Sequence, residues 1–496
     1  MSRVLERDPG LTILRLWVGI DPNARRTGRS RNEPHQVVFW QVQVPGAPAD
    51  PAVTIRPEEL GLPRSFEDAR RFRYGEPHFR LPEELAMRLK ARLDERDDAA
   101  AALWLELAQP SGTLSLVPWE RLLQHTLSVP VFRIPFFAIP AVVNPGSLDV
   151  VFCASSPVAK QPIDIEELLG RIIEQAIRSL PDDSNVHIFT DVRSFPEMSE
   201  RLRGRAVRQS SHRIFLYDPR QSASLFRRHR TIEEDPEEQA PERSGAIRNP
   251  WLQWILHAMG QRGVDAVHFL AHGYLAAEQG ALALAESPME NRDENWARFI
   301  GSAELSAFLT RIGAWSVSFS VAPMNFSVLG LRLLTDQLAR QRVGPVMLHD
   351  MTNGNAETLG RALRFMVGGG TPEDVRPTGM HEPPVALYCH PSRAGTVESM
   401  EETNAFLMRH TMAGGRTGDF IRQSAALPSW LLAAQRTLER TSAELMESRQ
   451  SQSADPERVG IERALSFLSG VVDRDSSSVA IPVAEADVPN AEREAL

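Results

Sequence analysis

The chain has 496 residues, of which 42% are hydrophobic and 24% are charged, a composition typical of globular proteins and unlike that of disordered or fibrous ones. Its 64 acidic and 55 basic side chains give a formal charge of -9, which leaves no excess of Lys and Arg for a nucleic-acid backbone. Two cysteines are too few for a disulfide framework, and no run reaches the ~20 apolar residues of a membrane span. We therefore predict a cytoplasmic protein that binds neither nucleic acid nor membrane.

The first hundred residues contain two β-like runs and one helical stretch. Runs 12–20 and 36–44 are rich in β-branched and aromatic residues, and we expect them to pair as a hairpin with a long Arg-rich connection. Residues 82–97 begin with a proline that suits a first helical turn and carry leucines that can pack. This pattern predicts a small α+β module over residues 1–100.

Between residues 101 and 400, short apolar runs alternate with amphipathic ones. The predicted strands are 148–153, 185–189, 213–217, 266–271, 315–320 and 345–348. The predicted helices are 163–180, 250–262, 302–312 and 328–341. This alternation predicts an α/β fold with a mainly parallel sheet flanked by helices.

Three other segments carry no chemical motif. Residues 231–243 read TIEEDPEEQAPER, an acidic run with almost nothing to bury, which predicts a surface loop. We expect a helical extension over residues 401–472. The final segment, 473–496, is composed largely of Ser, Ala, Pro and acidic residues and is predicted to be a disordered tail.

The most informative segment is 263–274, which reads GVDAVHFLAHGY and delivers His272 and Gly273 at the carboxyl end of a buried strand. In an open parallel sheet, binding sites assemble at that end. A histidine there can offer a proton-accepting nitrogen. Strand-end histidines are also often structural, so this segment alone does not establish catalysis.

Several segments flank this strand in an order that resembles the CHAT domains, the caspase-related cysteine peptidase family. They are GTLSLVPWERLL at 112–123, GALALA at 280–285, FIGSAEL at 299–305, WSVSFSVAP at 315–323 and VGPVML at 343–348. The resemblance implies a caspase-like fold in which the His-Gly strand is followed by a strand that ends in a cysteine nucleophile. A thiolate, the histidine and backbone N–H groups would then act together on a scissile carbonyl.

The position that this resemblance assigns to the nucleophile holds an alanine. In caspase-type enzymes the histidine precedes the cysteine by roughly 50 residues, and that spacing from His272 falls on Ala322. Its neighbours Val321 and Pro323 supply no sulfur and also depart from the family's motif. This drift favours natural loss of the nucleophile, while an engineered change of cysteine to alanine stays open as a second explanation.

Other side chains are weaker candidates for the site. Ser320 could replace the thiol, although a serine needs a fully built activating base. Cys153 ends an earlier strand and could reach the cleft rim, although burial among apolar residues is the commoner fate of a cysteine. His349 and Asp350, at a strand end, could line the cleft together with Gly273, or form a structural pair.

The resemblance thus implies a pseudopeptidase that keeps the sheet and His272 and acts as a protein- or peptide-binding or scaffolding module, in bacterial stress or defence signalling. The alternative is an active caspase-like cysteine endopeptidase, with an unconventional nucleophile or with a native cysteine at position 322. A third possibility makes the N-terminal module a sensor. No cofactor is predicted, and the histidines show no paired spacing for a metal.

Overall fold

The computed structural model describes most of the chain between residues 12 and 389. The described ranges are 12–20, 36–43, 50–63, 65–71, 79–94, 102–108, 111–135, 147–159, 162–203, 211–223, 247–260, 262–276, 279–289, 296–321, 325–342, 344–351, 356–366, 370–376 and 385–389. The predicted acidic loop 231–243, the helical extension 401–472 and the tail 473–496 lie outside these ranges.

Within the described ranges the strands, numbered in chain order, are β1 Thr12–Ile20, β2 Gln36–Gln43, β3 Val53–Ile55, β4 Leu103–Leu107, β5 Val131–Arg133, β6 Asp149–Ala154, β7 Asn185–Phe189, β8 Arg213–Tyr217, β9 Ala266–Leu270, β10 His272–Ala276, β11 Gln279–Ala285, β12 Ala297–Gly301, β13 Ser316–Val321, β14 Val346–Asp350 and β15 Val385–Tyr388. The α-helices are α1 Phe66–Arg71, α2 Glu83–Asp94, α3 Trp119–Leu127, α4 Ile165–Ser179, α5 Phe195–Leu202, α6 Pro250–Met259, α7 Ser302–Ile312, α8 Asn325–Gln341, α9 Glu357–Met366 and α10 Pro372–Val375. The six predicted strands and four predicted helices of the α/β region therefore form, with ends shifted by at most a few residues.

Twelve strands form one mixed, mostly parallel sheet in the order β3-β2-β1-β4-β5-β15-β14-β13-β9-β6-β7-β8. Among the residues that the structure describes, the antiparallel pairs of this sheet are those of β1 with β2, β2 with β3 and β14 with β15. The predicted α/β class with helices flanking a mainly parallel sheet is thus confirmed.

The N-terminal strands are part of this sheet. Strands β1 and β2 form the predicted antiparallel hairpin. On its other side β1 pairs in parallel with β4, which in turn pairs with β5. The sheet is therefore continuous across the predicted module boundary at residue 100.

Helices cover both faces of the central strands. Apolar side chains of α4 and α9 pack on one face, which we call the α4 face. Those of α6, α7 and α8 pack on the other, which we call the α8 face. Because side chains alternate along a strand, neighbouring residues of one strand point to different faces.

The strand order places a switch point beside the most informative strand. From β6, the sheet extends through β7 and β8 on one side and through β9, β13 and β14 on the other. Ligands of open α/β sheets bind outside the carboxyl ends of the strands at such a point. The strand order therefore makes the loops that follow β6 and β9 the expected place for a binding site.

Candidate functional site at the carboxyl edge of the sheet

His272 lies at this edge, two residues beyond the last residue of β9. It is the first residue of β10, which forms a separate three-stranded antiparallel sheet with β11 and β12. In that small sheet His272 stands opposite Ala283. The residue is buried, with 4% of its surface exposed.

Strand β13 brings the predicted nucleophile segment next to His272. β9 and β13 are parallel neighbours, and Leu270 pairs with Ser320. On the other side of β13, Val321 pairs with Asp350 of β14. Ala322 itself lies outside the described residues, which end at Val321 and resume at Asn325. The ends of β9, β13 and β14 thus meet at one edge, as a shared site requires.

Helix α8 follows the nucleophile segment and packs on β10 and β11 through two glycines. A β-carbon added to Gly330 would lie 2.6 Å from the backbone nitrogen of Tyr274, two residues after His272. One added to Gly280 would lie 2.2 Å from the backbone oxygen of Gly330. Only glycine at both positions permits this approach, which fixes α8 relative to the strand that begins with His272.

Ser320 is not placed as an accessible nucleophile. Its hydroxyl lies 3.2 Å from Nδ1 of His349, the residue directly opposite it on β14. Both side chains are 0% exposed and point to the α4 face of the sheet, away from solvent. The hydroxyl is therefore not presented to solvent.

A second histidine–serine pair continues this polar row inside the sheet. Nδ1 of His268 lies 2.7 Å from the Ser318 hydroxyl. Burial, and after it the nearby His349, lower the pKa of His268 to about 3. The ring is therefore neutral across the physiological pH range, and the row is a buried structural feature of the sheet.

Cys153 and Cys389 are both buried. The side chain of Cys153 packs on the α8 face, opposite to Ser320. Burial raises the pKa of its thiol far above the ordinary value, so the thiol stays protonated and unreactive at neutral pH. The structure thus gives Cys153 the environment of an apolar core residue.

A group of buried charged residues, which the sequence did not point to, lies beside the site on the α8 face. Glu120 accepts hydrogen bonds from Nε and Nη2 of Arg133, the latter at 3.1 Å. Arg332 of α8 donates to the same carboxylate at 3.4 Å. Burial acts to raise the pKa of Glu120, but Arg133 and Arg332 outweigh it and hold that pKa below its usual value. The carboxylate is therefore charged.

The same network extends to a second carboxylate through Tyr388. The tyrosine hydroxyl accepts a hydrogen bond from Nη1 of Arg133 at 2.8 Å and donates to Asp336 of α8 at 3.0 Å. Asp336 also accepts from Ser115 at 2.8 Å and pairs with Arg340. Side chains from α3, β5, α8 and β15 are thus joined around one helix. We call the set Glu120, Arg133, Arg332, Asp336 and Tyr388 the buried ionic network.

Three signals in the sequence could have indicated this network. Glu120 is the glutamate of the PWE motif on which the CHAT resemblance partly rests. Arg133 is the charged residue that interrupts the apolar run after residue 129, and Arg332 interrupts the apolar sequence of α8. A charged residue inside an apolar run is seldom buried without a partner, so such residues are candidates for pairing.

Comparison of the chain with protein-family models, with curated proteins and with solved structures found no match. In the part of the chain that the structure describes, no group of three or more His, Cys, Asp or Glu side chains could hold a metal ion. None of the described helices is long and apolar enough to cross a membrane.

Proposed function

We propose that the chain is a CHAT-like pseudopeptidase that binds a protein or peptide segment at the edge formed by the ends of β9, β13 and β14. One observation carries the proposal: His272 lies beside the end of β13, while Ser320 and Cys153 are both buried. With alanine at position 322, the edge keeps a histidine and has no accessible thiol or hydroxyl among these candidates. Such a site can hold a ligand but has no group to attack it.

The arrangement of the motifs supports the CHAT resemblance. The segment at 280–285 forms β11, and the FIGSAEL segment forms the end of β12 and the start of α7. The two strands that the resemblance assigns to the histidine and to the nucleophile are parallel neighbours. This is the geometry that a histidine–cysteine dyad needs, since both strand ends must face one cleft. By the same resemblance, we propose a role in bacterial stress or defence signalling.

A cleavage assay tests the proposal. The wild-type chain and His272→Ala would each be incubated with a proteome-derived peptide library, and new termini would be identified by mass spectrometry. We expect no cleavage by the wild-type chain above that of His272→Ala. Cleavage that depends on His272 would instead establish the active endopeptidase, and loss of that cleavage in Ser320→Ala or Cys153→Ala would identify its nucleophile.

A binding assay on the same peptide library tests the second part of the proposal, that this edge of the sheet binds a peptide. Peptides retained by the immobilised wild-type chain should be lost with Ala322→Trp, because the resemblance assigns position 322 to this edge and a large side chain there would fill it. The control is Glu197→Ala, a change at an exposed position of α5, which should retain them. Equal retention by all three chains would show that binding occurs elsewhere.

A further inference from the structure

Strand β8 forms one end of the large sheet. It pairs in parallel with β7, and among the described strands none lies on its other side. Its five residues read RIFLY, none of them is fully buried, and Phe215 is 37% exposed. At the opposite end of the sheet, β3 has only three residues. β8 is therefore the longer of the two edges, and an exposed apolar edge strand tends to pair with a further strand.

The backbone of β8 shows which groups face outwards. The N–H of Arg213 donates to the carbonyl of the residue before β7. The N–H and C=O of one residue point to the same side of a strand, and this side alternates along the strand. Phe215 and Tyr217 therefore also face β7, while Ile214 and Leu216 face outwards. Over the described ranges, no hydrogen bond reaches the outward groups of these two residues.

An antiparallel second copy of β8 satisfies these outward groups. With a two-fold axis at Phe215, Ile214 of one chain stands opposite Leu216 of the second copy, and each outward group has a partner. Phe215 then stands opposite itself, at a non-hydrogen-bonded position where the two α-carbons are about 4.5 Å apart. A two-fold interface has to be self-complementary in this way.

The side chains of β8 suit this register. Phe215 lies on the α8 face, where its ring stacks on that of His187 with 5.0 Å between the centroids. A facing phenylalanine adds an aromatic cross-strand pair there. Ile214 and Leu216 pack against the hydrophobic cluster of the α4 face. On that face, the two apolar residues meet each other across the axis.

The charged residues around β8 favour the antiparallel direction. Arg213, at the amino end, is exposed, and Asp218, just after the carboxyl end, has 32% of its side chain exposed. An antiparallel copy brings each of them towards the unlike charge, whereas a parallel copy would align like charges. We propose that two copies of the chain join through β8 into a two-fold dimer with one continuous sheet.

The size of this contact determines its strength. The five residues of β8 span about 16 Å, at about 3.3 Å per residue. Stable interfaces bury about 1,200 Å² or more in total, which one strand edge of this length does not reach. The dimer is therefore a weak one, and its formation depends on the concentration of the chain.

The dimer does not depend on the proposed function, but it has a consequence for it. In the joined sheet the strands of the second copy run in the opposite direction. The carboxyl ends of the parallel strands, where His272 lies, are then on opposite sides of the dimer. Two bound segments would be held apart, as a scaffold requires.

Sedimentation equilibrium of the full chain, from about 1 µM to about 200 µM, tests the dimer. We expect the mass of the wild-type chain to rise from that of one chain towards that of two. Phe215→Lys should stay monomeric, because it places two like charges opposite each other at the axis. Phe215→Glu should do the same. An equimolar mixture of the two variants should associate again, since unlike charges then face each other.

Phe299→Lys is the matched control. Phe299 is also an exposed aromatic residue of an edge strand, β12, and its ring stacks on that of Tyr274 with 4.3 Å between the centroids. This variant should dimerise as the wild-type chain does. Circular dichroism verifies that every variant is folded.

A cysteine variant serves if the charged variants at Phe215 do not fold. Phe215→Cys should form a disulfide-linked dimer on oxidation, because opposite non-hydrogen-bonded positions bring two α-carbons within disulfide range. Phe299→Cys should remain a single chain. The wild-type chain is the blank, since Cys153 and Cys389 are buried.

Three results would overturn the proposal. A wild-type chain that stays monomeric over the whole concentration range forms no such dimer. Association that persists in Phe215→Lys, or a Phe215→Cys chain that does not cross-link, would place the contact on another surface. Association that is lost in both charged variants and does not return in their mixture would show that β8 pairs with a different occupant, such as a peptide or another segment of the chain.

Discussion

The backbone of Gly330 on α8 touches the backbone of Tyr274 on β10, so closely that an added β-carbon would lie 2.5 Å from the tyrosine's carbonyl carbon. This contact connects the helix after the predicted nucleophile position to the strand that begins with His272. Backbone atoms on both sides leave no flexible side chain to move away. The contact is therefore specific for glycine.

Gly330→Ala should destabilise the chain although alanine is the better helix former. The gain in helix propensity is about 1 kcal/mol, and overpacking against fixed backbone costs about 1–3 kcal/mol or more. Urea denaturation should show a lower unfolding free energy. Gly263→Ala is the control, because a β-carbon there meets nothing within 4 Å. Equal stability of the two variants would contradict the close packing of α8 on β10.

The neutral state of His268 should make stability depend on pH. Its pKa is about 3 in the folded chain, against an ordinary value of 6.5. The unfolded chain therefore takes up a proton below pH 6.5 and the folded chain does not, so stability is complete above pH 6.5 and is lost as the pH falls towards 3. The loss attributable to this residue should reach about 2 kcal/mol at pH 5.

Denaturation of the wild-type chain and of His268→Asn at pH 7 and pH 5 measures this contribution. The difference between the two pH values should be smaller in His268→Asn. His257→Asn, a change at an exposed position of α6, should behave as the wild type does. A pH dependence unaffected by His268→Asn would mean that the ring is not buried in its neutral form.

Tyr388→Phe should cost stability although it makes the core more apolar. The hydroxyl joins Arg133 to Asp336, and its removal deprives each buried charged group of one partner. The expected loss is about 1–3 kcal/mol, measurable by urea denaturation. An unchanged or increased stability would show that the hydroxyl does not connect the two halves of the network.

Glu304→Ala should loosen the segment before α6. The carboxylate of Glu304, from the FIGSAEL segment, accepts the backbone N–H groups of Arg248 and Asn249, each at 2.7 Å. Hydrogen exchange of amides 248, 249 and 251 should become faster in this variant, with amides of α4 serving as an internal reference. Unchanged exchange would show that the contact does not hold the start of α6.

Local patterns predicted the elements well and their distant contacts poorly. Strands such as 185–189 and 213–217 form with the predicted bounds, because short β-branched and aromatic runs between polar segments favour a buried strand over a helix or a loop. Glu120 and Arg332 are 212 positions apart, and nothing local in either segment specifies the other. The continuity of β1 with β4 is likewise a long-range pairing.

In the candidate site, too, local features are predictable from the sequence and long-range contacts are not. The place of His272 near the end of β9 is predictable from the sequence, because a buried run precedes the His-Gly pair; that His272 and Gly273 begin a further strand, β10, is not. The orientation of the Cys153 side chain cannot be predicted from the sequence, since it depends on which face of β6 packs against α8. The burial of Ser320 follows from the helices packed on the α4 face, which the sequence of β13 does not reveal.

The most direct test of the central claim compares Ala322→Cys with the double variant Ala322→Cys/His272→Ala at pH 6. The claim is our proposal that the edge at His272 and the end of β13 lacks only the nucleophile of a peptidase, at the position that the CHAT resemblance assigns to residue 322. We expect iodoacetamide to alkylate the introduced thiol about tenfold faster when His272 is present, because the histidine stabilises the thiolate. Equal rates in the two variants would show that His272 does not face position 322, and would contradict the account.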